Sequence, residues 1–373
     1  MPTPPENLGP PAASVSELRG RPAAGARRAS RPGEAVTARS VAGGGSGGEL
    51  SPRESTVSVV IVTYRNAADI GSCLDALKKA EPRIGMETIV VDNASGDETV
   101  DAIRAAAPDA TIVEQADNIG FARGCRAGAE AARGDWLLFL NPDTAISPGA
   151  IDALLDCATS RPATGIVGGR FVDAAGHIDP RSWWGRPSPW SALCFGLGLS
   201  TLRPGSRFFD TESPRPWTSD PDEVRPAPVI SGAMMLVNRE LWDRLGGFDP
   251  AFFMYAEDVD FCLRAAAVGQ TPMVTARAVC YHAGGRSSNS SGKMVLLFTG
   301  KCTLVRRHFP RGLRAVSVRM LLTGVFVRAT ASRWTRLAAS ARDRPVTAGE
   351  DWQALWAARG KWRHGWSGAS GNI

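Results

Sequence analysis

The chain has 373 residues, 43% of them hydrophobic, and a formal net charge of +6. This length and composition allow a sizeable core and exclude disorder throughout. The seven cysteines are odd in number and form no Cys-x-x-Cys pair, so neither a disulfide framework nor a zinc cluster is indicated, and a reducing cytosol fits best.

Residues 1–55 are rich in Pro, Gly, Ala, Ser and Arg and contain almost no large apolar residues. Because such a segment cannot offset the entropy cost of ordering, we predict a disordered tail. The tail lacks the apolar core of a secretory signal, and no stretch of the chain approaches the ~20 apolar residues of a spanning helix. We therefore expect a soluble or peripheral protein, located in the cytoplasm or on the inner face of the cell membrane.

Four short apolar runs, each ending in polar residues, alternate with helical patterns along the next part of the chain. The apolar stripe from Ile70 to Leu77 predicts a helix, and Ser95–Glu98 predicts a capping box that opens a second one. Alternating strands and helices imply right-handed crossovers, a parallel sheet, and strand ends that meet at one edge. The predicted strands are 57–62, 88–91, 111–113 and 136–140.

Polar residues stand where each of these strands ends. A single Asp after a strand is more often a turn or a helix cap, but four polar strand ends in succession favour a ligand site. The almost wholly apolar run from Gly134 ends in a carboxylate, and a metal-bound phosphate is one obvious ligand there. No P-loop or dinucleotide fingerprint accompanies the strands, so a nicotinamide cofactor is not expected. The crevice residues are Thr63, Tyr64, Asp92, Asn118, Gly120 and Asp143.

Five sequence blocks in a fixed order carry a family resemblance. They are Val59–Asn66, Val90–Asp97, Asn118–Gly124, Phe139–Asp143 and Gly246–Arg264. Through them the chain resembles glycosyltransferase family 2, whose members have the GT-A fold and transfer sugars from nucleotide diphosphates, and it is most similar to bacterial rhamnosyltransferases. A further block, His282–Ser287, resembles a histidine block often found in the family.

The resemblance implies an α/β fold of the GT-A class over about residues 56–310. A Rossmann-like nucleotide-binding half with a mostly parallel sheet would occupy 56–145, and an acceptor half would occupy 146–310. The remaining residues, 311–373, are predicted to form a basic, Trp-rich helical extension.

Two positions depart from the family pattern. The DXD metal motif is here Asn141-Pro-Asp143, which leaves one carboxylate and implies weaker metal affinity. Arg126 stands where the family usually has Asn, and it would either contact a phosphate or face solvent. Asn118, Gly120 and Asn141 are expected among the substrate-binding residues.

The resemblance implies a divalent cation, Mg²⁺ or Mn²⁺, that neutralises charge on the leaving diphosphate. Asp143 is a candidate ligand, because Mg²⁺ needs only one or two carboxylates when phosphate oxygens and water complete its shell. The resemblance also suggests His282 as a second contact to the metal or the diphosphate, and a structural strand-end histidine is the alternative. Asp92 would hydrogen-bond the nucleotide base, with the backbone of Thr63 and Tyr64 framing it; the alternative for Asp92 is a helix N-cap.

An inverting displacement benefits from a carboxylate that takes the proton of the acceptor hydroxyl. Asp258, at the predicted start of a helix that runs to about Val268, is the candidate catalytic base, and Glu257 is its rival. The helix dipole favours an ionised carboxylate, whereas crowding with Asp260 raises its proton affinity. Asp260 and Arg264 stand at i and i+4, and we interpret this pair as an internal brace.

The segment 161–228 is rich in Pro, Gly, Trp and Arg, which predicts a lid or a disordered loop. Trp183 and Trp184 lie within it. Their rings would either stack on a sugar or lipid acceptor or be buried against the core.

Charge is concentrated near the end of the chain, where the residues from Lys301 onward include 14 Lys or Arg against 3 Asp or Glu. The mixture of apolar, Trp and Arg residues is typical of a helix on an anionic membrane surface, and a helix packed on the main domain is the alternative. No zinc finger, helix-turn-helix or RNA-binding signature accompanies this charge, so nucleic acid is not an expected partner.

Together these features predict an inverting, metal-dependent glycosyltransferase. The expected reaction moves rhamnose from dTDP-rhamnose to a saccharide or lipid-linked saccharide acceptor in cell-wall or surface polysaccharide synthesis. Two alternatives stay open: the same fold with a UDP- or GDP-sugar donor, and a catalytically silent, membrane-docked protein that binds nucleotide sugars.

Overall fold

A computed structural model describes residues 55–161, 163–173, 175–282, 290–340 and 350–366. The predicted disordered tail, apart from its last residue, lies outside the described residues. The part of the histidine block that follows His282 and the last residues of the chain, 367–373, also lie outside them.

The first half of the sheet is built from parallel strands joined by helices. β1 pairs with β2 on one side and β4 on the other, and β2 pairs with β3, all in parallel. The order β3-β2-β1-β4 confirms the predicted parallel arrangement. These elements are β1 (Thr56–Thr63), α1 (Ala67–Ala80), β2 (Gly85–Asp92), α2 (Thr99–Ala106), β3 (Thr111–Glu114), α3 (Phe121–Ala131) and β4 (Trp136–Leu140).

The second half extends the same sheet with mixed strand directions. The next elements are β5 (Thr144–Ile146), α4 (Ala150–Thr159), β6 (Ile166–Val172), β7 (Ile178–Asp179), a 3₁₀ turn (Pro180–Ser182), β8 (Trp183–Trp184), α5 (Pro189–Gly196), α6 (Leu199–Leu202), β9 (Val224–Pro226), β10 (Val229–Ile230), β11 (Met234–Asn238), α7 (Arg239–Leu245), α8 (Glu257–Ala267) and β12 (Met273–His282). β11 lies antiparallel between β4 and β6, and β12 runs parallel to β6. β8 and β10 form a separate antiparallel pair.

The segment 161–228 contains regular elements, so the prediction of one irregular lid or loop is wrong. It holds the central strand β6, the short helices α5 and α6, and several short strands. Two adjacent glycines conceal β6 in the sequence. A Cβ at Gly168 would overlap Ile230, and one at Gly169 would overlap Ala278, so close packing requires glycine at both positions.

Hydrophobic clusters cover both faces of the sheet. Side chains of α1, α2 and α4 pack on one face, and side chains of α3, α7 and α8 pack on the other. Buried aromatic rings fill the second cluster; for example, Phe139 on β4 lies 4.6 Å from Trp242 on α7. The molecule is therefore a layered α/β fold, as predicted.

A third cluster joins the helices that follow the sheet: α9 (Ser290–His308), α10 (Arg311–Ser340), α11 (Glu350–Ala357) and α12 (Arg359–Trp362). Ala192 of α5 also belongs to this cluster, so a helix of the earlier segment packs against the C-terminal helices. The fold class with C-terminal helices is confirmed, whereas the domain boundary near residue 310 stays a prediction.

By length and composition alone, the part of α10 from Arg311 to Trp334 qualifies as a helix able to cross a membrane. The prediction that no stretch approaches a spanning helix is therefore wrong on that criterion. Arg319 and Arg328 interrupt the apolar residues and concealed the pattern. A single such helix is a weak indication, because core helices of soluble proteins pass the same test.

Candidate functional site

Asn93 organises the polar ends of the first three strands. Its backbone N–H donates to the carbonyl oxygen of Thr63 at 2.9 Å, and its side-chain amide donates to Asn118 Oδ1 at 3.0 Å. Its own Oδ1 accepts from the N–H of Ile119 at 3.0 Å. The sequence analysis named Asp92 at this point and missed its neighbour Asn93. A buried amide that bridges two strand ends in this way sets their spacing.

Asp92 binds the turn that follows β2. Its two carboxylate oxygens accept from the N–H of Ser95 at 3.1 Å and from the Ser95 hydroxyl at 2.5 Å. The predicted capping box at 95–98 is therefore wrong: α2 begins at Thr99, whose N–H is bound by Asp97. These local bonds to the Asp92 carboxylate satisfy Ser95, which therefore does not cap a helix. The proposed contact between Asp92 and a base stays a prediction.

The two residues at the end of β1 differ in exposure. Thr63 is buried, and its hydroxyl has no hydrogen-bond partner among the described residues. Tyr64 is 39% exposed, and the Arg65 guanidinium lies 5.2 Å from the centre of its ring. Tyr64 therefore offers an open aromatic surface beside a cation at the edge of the sheet.

Gly120, which precedes α3, contacts the segment before α8. Its φ of +82° favours glycine, and a Cβ there would overlap the carbonyl oxygen of Phe253. The same carbonyl accepts from the N–H of Phe121 at 2.7 Å. The third and fifth family blocks, far apart in the sequence, are thus in direct contact.

A short segment, Ser231–Ala233, lies between the Asn-Pro-Asp turn and the start of α8. The carbonyl of Ala233 accepts from the N–H of Asn141 at 3.0 Å. The N–H of the adjacent Gly232 donates to Asp258 Oδ2 at 3.1 Å. The structure therefore places the candidate metal motif and the candidate base on the same side of the molecule.

Asp143, the last residue of the Asn-Pro-Asp turn, lies next to His282, because β12 pairs with β5 at this point. His282 Nε2 lies 3.7 Å from Asp143 Oδ1, and Nδ1 lies 4.0 Å from Asp179 Oδ2. Burial lowers the pKa of His282, although the charge of Asp143 opposes the shift. A neutral imidazole beside a carboxylate is the form that binds a metal ion.

Arg181 is a cation beside this pair that the sequence analysis missed. Its guanidinium binds both carboxylate oxygens of Asp179, with Nε at 2.8 Å and 3.0 Å. These bonds raise the pKa of Arg181, and the charge of Asp143 contributes. Arg181 lies in the 3₁₀ turn that connects β7 to β8. The sequence of this region has no periodicity, so it does not show that this turn reaches the site.

The residues fit a divalent cation held partly by its substrate. Among the described residues, no group of three or more His, Cys, Asp or Glu side chains forms a complete metal site. Nε2 of His282 lies 3.7 Å from Asp143 Oδ1, so the imidazole and the carboxylate face a common position, and the buried Nδ1 has no hydrogen-bond partner among the described residues. Asp143 and His282 together would supply two ligands, which leaves the remaining positions for diphosphate oxygens and water, as Mg²⁺ requires.

Two adjacent carboxylates begin α8. Burial raises the pKa of Glu257 well above its ordinary value, and the charge of Asp258 raises it further. Burial also raises the pKa of Asp258, but the backbone N–H groups of Gly232 and Val259 donate to its oxygens and oppose the shift. One oxygen of Glu257 has no partner among the described residues. The pair therefore favours a protonated Glu257 and a more readily ionised Asp258.

Asp260 holds α8 in place, which confirms the predicted brace. Its carboxylate binds Arg264 Nε and His308 Nε2, each at 2.7 Å. Burial opposes ionisation, but these hydrogen bonds lower the pKa of Asp260. Arg264 also donates to the carbonyl oxygens of Leu245 and Gly247, at 2.8 Å each, and so ties α8 to the end of α7.

Arg126 does not simply face solvent, so that expectation is wrong, whereas its contact with a phosphate stays a prediction. Its guanidinium donates to the carbonyl oxygens of Gly246 and Phe248. The long Arg126 side chain thereby connects α3 to the fifth family block.

Trp183 is buried, and the guanidinium of Arg225 lies 4.7 Å from its ring centre. This ring is therefore part of the core and is not open for stacking on a sugar. Trp184 is half-buried and pairs with Val229, so its contact with an acceptor stays a prediction.

Comparisons with known proteins indicate the family of the chain. A family model described as glycosyl transferase family 2 matches residues 58–209. An N-acetylglucosaminyl-diphospho-decaprenol L-rhamnosyltransferase of Mycobacterium tuberculosis is 32% identical over 253 residues, which cover 63% of this chain and 77% of that protein. A low-salt glycan biosynthesis hexosyltransferase of Haloferax volcanii is 24% identical over 59% of this chain and 66% of that protein.

Among solved structures, a mannosyltransferase from Pyrobaculum calidifontis in complex with GDP-Man and Mn²⁺ has a TM-score of 0.48 and 19% identity, covering 82% of this chain and 85% of that chain. The level of identity to the mycobacterial rhamnosyltransferase and its coverage decide the assignment. The chain belongs to glycosyltransferase family 2.

Proposed function

We propose that this glycosyltransferase moves rhamnose from dTDP-rhamnose to a lipid-linked saccharide, with inversion at the anomeric carbon. The observation that carries the proposal is the segment Ser231–Ala233, which binds the Asn141 turn on one side and Asp258 on the other. The name of the mycobacterial relative supports a rhamnosyl donor and a diphospho-decaprenol acceptor. Cell-wall or surface polysaccharide synthesis in the cytoplasm, at the inner face of the membrane, is the setting in which such an acceptor is used.

In the proposed reaction, Asp258 accepts the proton of the acceptor hydroxyl. That oxygen forms a bond to the anomeric carbon while the bond from this carbon to the diphosphate oxygen breaks. The diphosphate leaves with the electron pair and with its negative charge. Glu257 stays protonated beside Asp258 and takes no proton from the acceptor.

A divalent cation, Mg²⁺ or Mn²⁺, held by Asp143 and His282 would neutralise charge on the leaving diphosphate. Arg181 adds a permanent positive charge next to these ligands. The strand ends at Thr63, Tyr64 and Asp92 would hold the nucleoside, with Asn118, Gly120 and Asn141 lining the same crevice. Removal of divalent metal with a chelator is expected to abolish transfer, and added Mg²⁺ or Mn²⁺ to restore it.

Release of dTDP from dTDP-rhamnose by the purified full-length chain tests the proposal. Asp143→Ala and Asp258→Ala should each reduce turnover by about 100-fold or more, the range of a lost catalytic group. Asp101→Ala is the control, because this carboxylate is 82% exposed on α2. Undiminished turnover in both site variants, with the fold intact by circular dichroism, would refute the site.

A thermal-shift screen with dTDP, UDP and GDP identifies the donor. The largest shift is expected with dTDP; a larger shift with UDP or GDP would replace the donor and keep the transferase. Nucleotide binding without sugar release from any donor would support the catalytically silent alternative.

A further inference from the structure

An exposed apolar surface lies away from the candidate site. On α10, Leu313, Val316, Val327 and Trp334 are 45% to 69% exposed. Offsets of 3, 14 and 21 residues from the first member place them on one stripe of the helix. Four more side chains, in α5, the turn after it, α6 and the loop that follows α6, are 46% to 74% exposed. We call the two sets together the apolar face; the second set is Trp190, Leu197, Leu202 and Phe208.

The two parts of the apolar face adjoin each other. A Cβ at Gly196 would lie 2.8 Å from the carbonyl oxygen of Met320, so α5 and α10 touch at backbone distance. Arg328 of α10 donates to the carbonyl oxygen of Phe195 at 3.0 Å and to the hydroxyl of Thr201 at 2.5 Å. The stripe on α10 therefore continues into α5 and α6.

The sequence around the apolar face contains arginines and no carboxylates. No Asp or Glu occurs from Ser182 to Phe209 or within α10. Arg203 and Arg207 are exposed beside the large apolar side chains, and α10 contributes six further arginines. A surface that combines exposed Leu, Phe and Trp with an excess of arginines is complementary to anionic lipid headgroups above an apolar layer.

Two other placements fit less well. A second copy of the chain would bring arginine against arginine, because the face has no acidic residue to pair with. A spanning orientation of α10 would remove Arg328 from Phe195 and Thr201, and would expose the buried Leu321 and Val325 that pack in the third cluster. We propose that the apolar face docks on an anionic phospholipid surface, with α10 lying in the plane of the interface.

This placement connects the surface to the candidate site. β8 leads into α5, and the carbonyl oxygen of the preceding Ser182 accepts a hydrogen bond from the N–H of Ser231, the first residue of the segment that binds Asp258. Docking through α5 and α10 would hold the site near the plane in which a lipid-linked acceptor is embedded. The access to that acceptor rests on the proposed function, whereas binding to lipid does not.

Flotation of the full-length chain with vesicles tests the proposal. We expect binding to phosphatidylglycerol vesicles that exceeds binding to phosphatidylcholine vesicles and weakens with added salt. The double variant Leu202→Glu/Phe208→Glu should bind phosphatidylglycerol vesicles at least about tenfold more weakly, since both apolar contacts are lost. Ile178→Glu is the matched control, because this side chain is 45% exposed on β7, outside the apolar face.

Equal binding by the double variant and the unmodified chain would overturn the proposal. A concentration-dependent dimer without lipid that disappears in the double variant would also overturn it, and would assign the face to a second copy. Turnover with a water-soluble acceptor should be unchanged in the double variant, while turnover with a vesicle-embedded acceptor falls. Vesicle binding without turnover of any donor would leave the docking surface standing and would remove the proposed function.

Discussion

Two neighbouring carboxylates at the start of α8 have different surroundings, and this difference supports the roles proposed for them. The carboxylate of Asp258 accepts hydrogen bonds from the backbone N–H groups of Gly232 and Val259. Glu257 is buried, and one of its oxygens has no partner among the described residues. Hydrogen bonds that favour the charged form make Asp258 the better proton acceptor, and burial keeps Glu257 protonated.

The pH dependence of turnover should follow Asp258. Burial raises its pKa, so kcat/KM is expected to fall as the pH decreases through that raised value, because a protonated carboxyl cannot accept the acceptor's proton. The acidic limb should therefore lie above the ordinary Asp value of about 3.9. Asp258→Asn should remove the limb and lower kcat about 10²- to 10⁴-fold, whereas Glu257→Gln should keep it. A limb that disappears only in Glu257→Gln would exchange the two roles.

Glu257 should make the protein less stable as the pH rises. Its pKa is raised in the folded state, so its stabilising contribution is complete below the unfolded value of about 4.3 and is lost as the pH rises towards the folded value. Glu257→Gln removes this proton linkage. Urea unfolding at pH 5, 6, 7 and 8 should show the variant gaining stability relative to the unmodified chain until the pH passes the folded value. A constant difference across this range would contradict a protonated Glu257.

Most residues of the candidate site could be named from the sequence, and the ones that were missed depend on contacts that the local sequence does not show. Asp143, His282 and Asp258 stand in motifs with fixed neighbours, so their positions followed from the resemblance. Asn93 acts through a contact with Asn118, 25 residues away. Arg181 binds the nearby Asp179, and only the folded sheet brings this pair beside His282 and Asp143.

The turn before α8 is strained, and a neighbouring helix supports it. Tyr255 and Ala256 have φ values of +67° and +77°, which non-glycine residues rarely adopt. Each such residue costs on the order of 1–3 kcal/mol and persists only when its surroundings hold it. Gly300 on α9 packs so closely that a Cβ there would overlap the carbonyl oxygen of Tyr255. A helix of the C-terminal cluster therefore supports the turn that positions Asp258.

Gly300→Ala should separate α9 from this turn. We expect a loss of about 1–3 kcal/mol in the free energy of unfolding and a lower kcat, since the added methyl group meets backbone. Gly292→Ala on the same helix is the control: it meets nothing within 4 Å and should stabilise the helix slightly. Chemical denaturation and dTDP release measure the two effects. Equal behaviour of both variants would show that the close approach has no role.

The elements that the sequence predicted well are those with clear periodicity. β1 to β4 are continuous apolar runs and were found close to their observed bounds. β6 was missed because its glycines interrupt the apolar pattern, and α5 and α6 were missed because Pro and Gly surround them. In these segments tertiary packing, which the sequence does not display locally, decides the structure.

At the scale of the whole molecule, the third cluster stabilises the C-terminal helices around Trp362. This side chain is completely buried, its Nε1 donates to the carbonyl oxygen of Leu355 at 2.8 Å, and its ring lies 5.3 Å from that of Phe298. Deleting residues from 311 onward would expose the buried side chains of this cluster and destabilise the chain. Point variants therefore separate the binding of a membrane from the stability of the fold more clearly than truncation does.

Trp362→Ala should lower the free energy of unfolding by about 3–5 kcal/mol, the usual result of removing a buried Trp. Trp334→Ala is the matched control, because this ring is 69% exposed and its removal should change stability by about 0.5 kcal/mol or less. Urea unfolding measures both variants. A similar loss in the two variants would mean that the third cluster does not hold Trp362 as described.

All seven cysteines are free and buried within the described residues. Burial raises the pKa of Cys73, Cys262 and Cys302 to about 12, so their thiolate forms are scarce at neutral pH. A thiol-reactive dye should therefore leave the folded chain unmodified and label it fully in denaturant; fast labelling under native conditions would contradict this burial. The cysteines lie on both faces of the sheet and in the helical cluster, so mass spectrometry of the labelled sites would report the order in which each layer opens during unfolding.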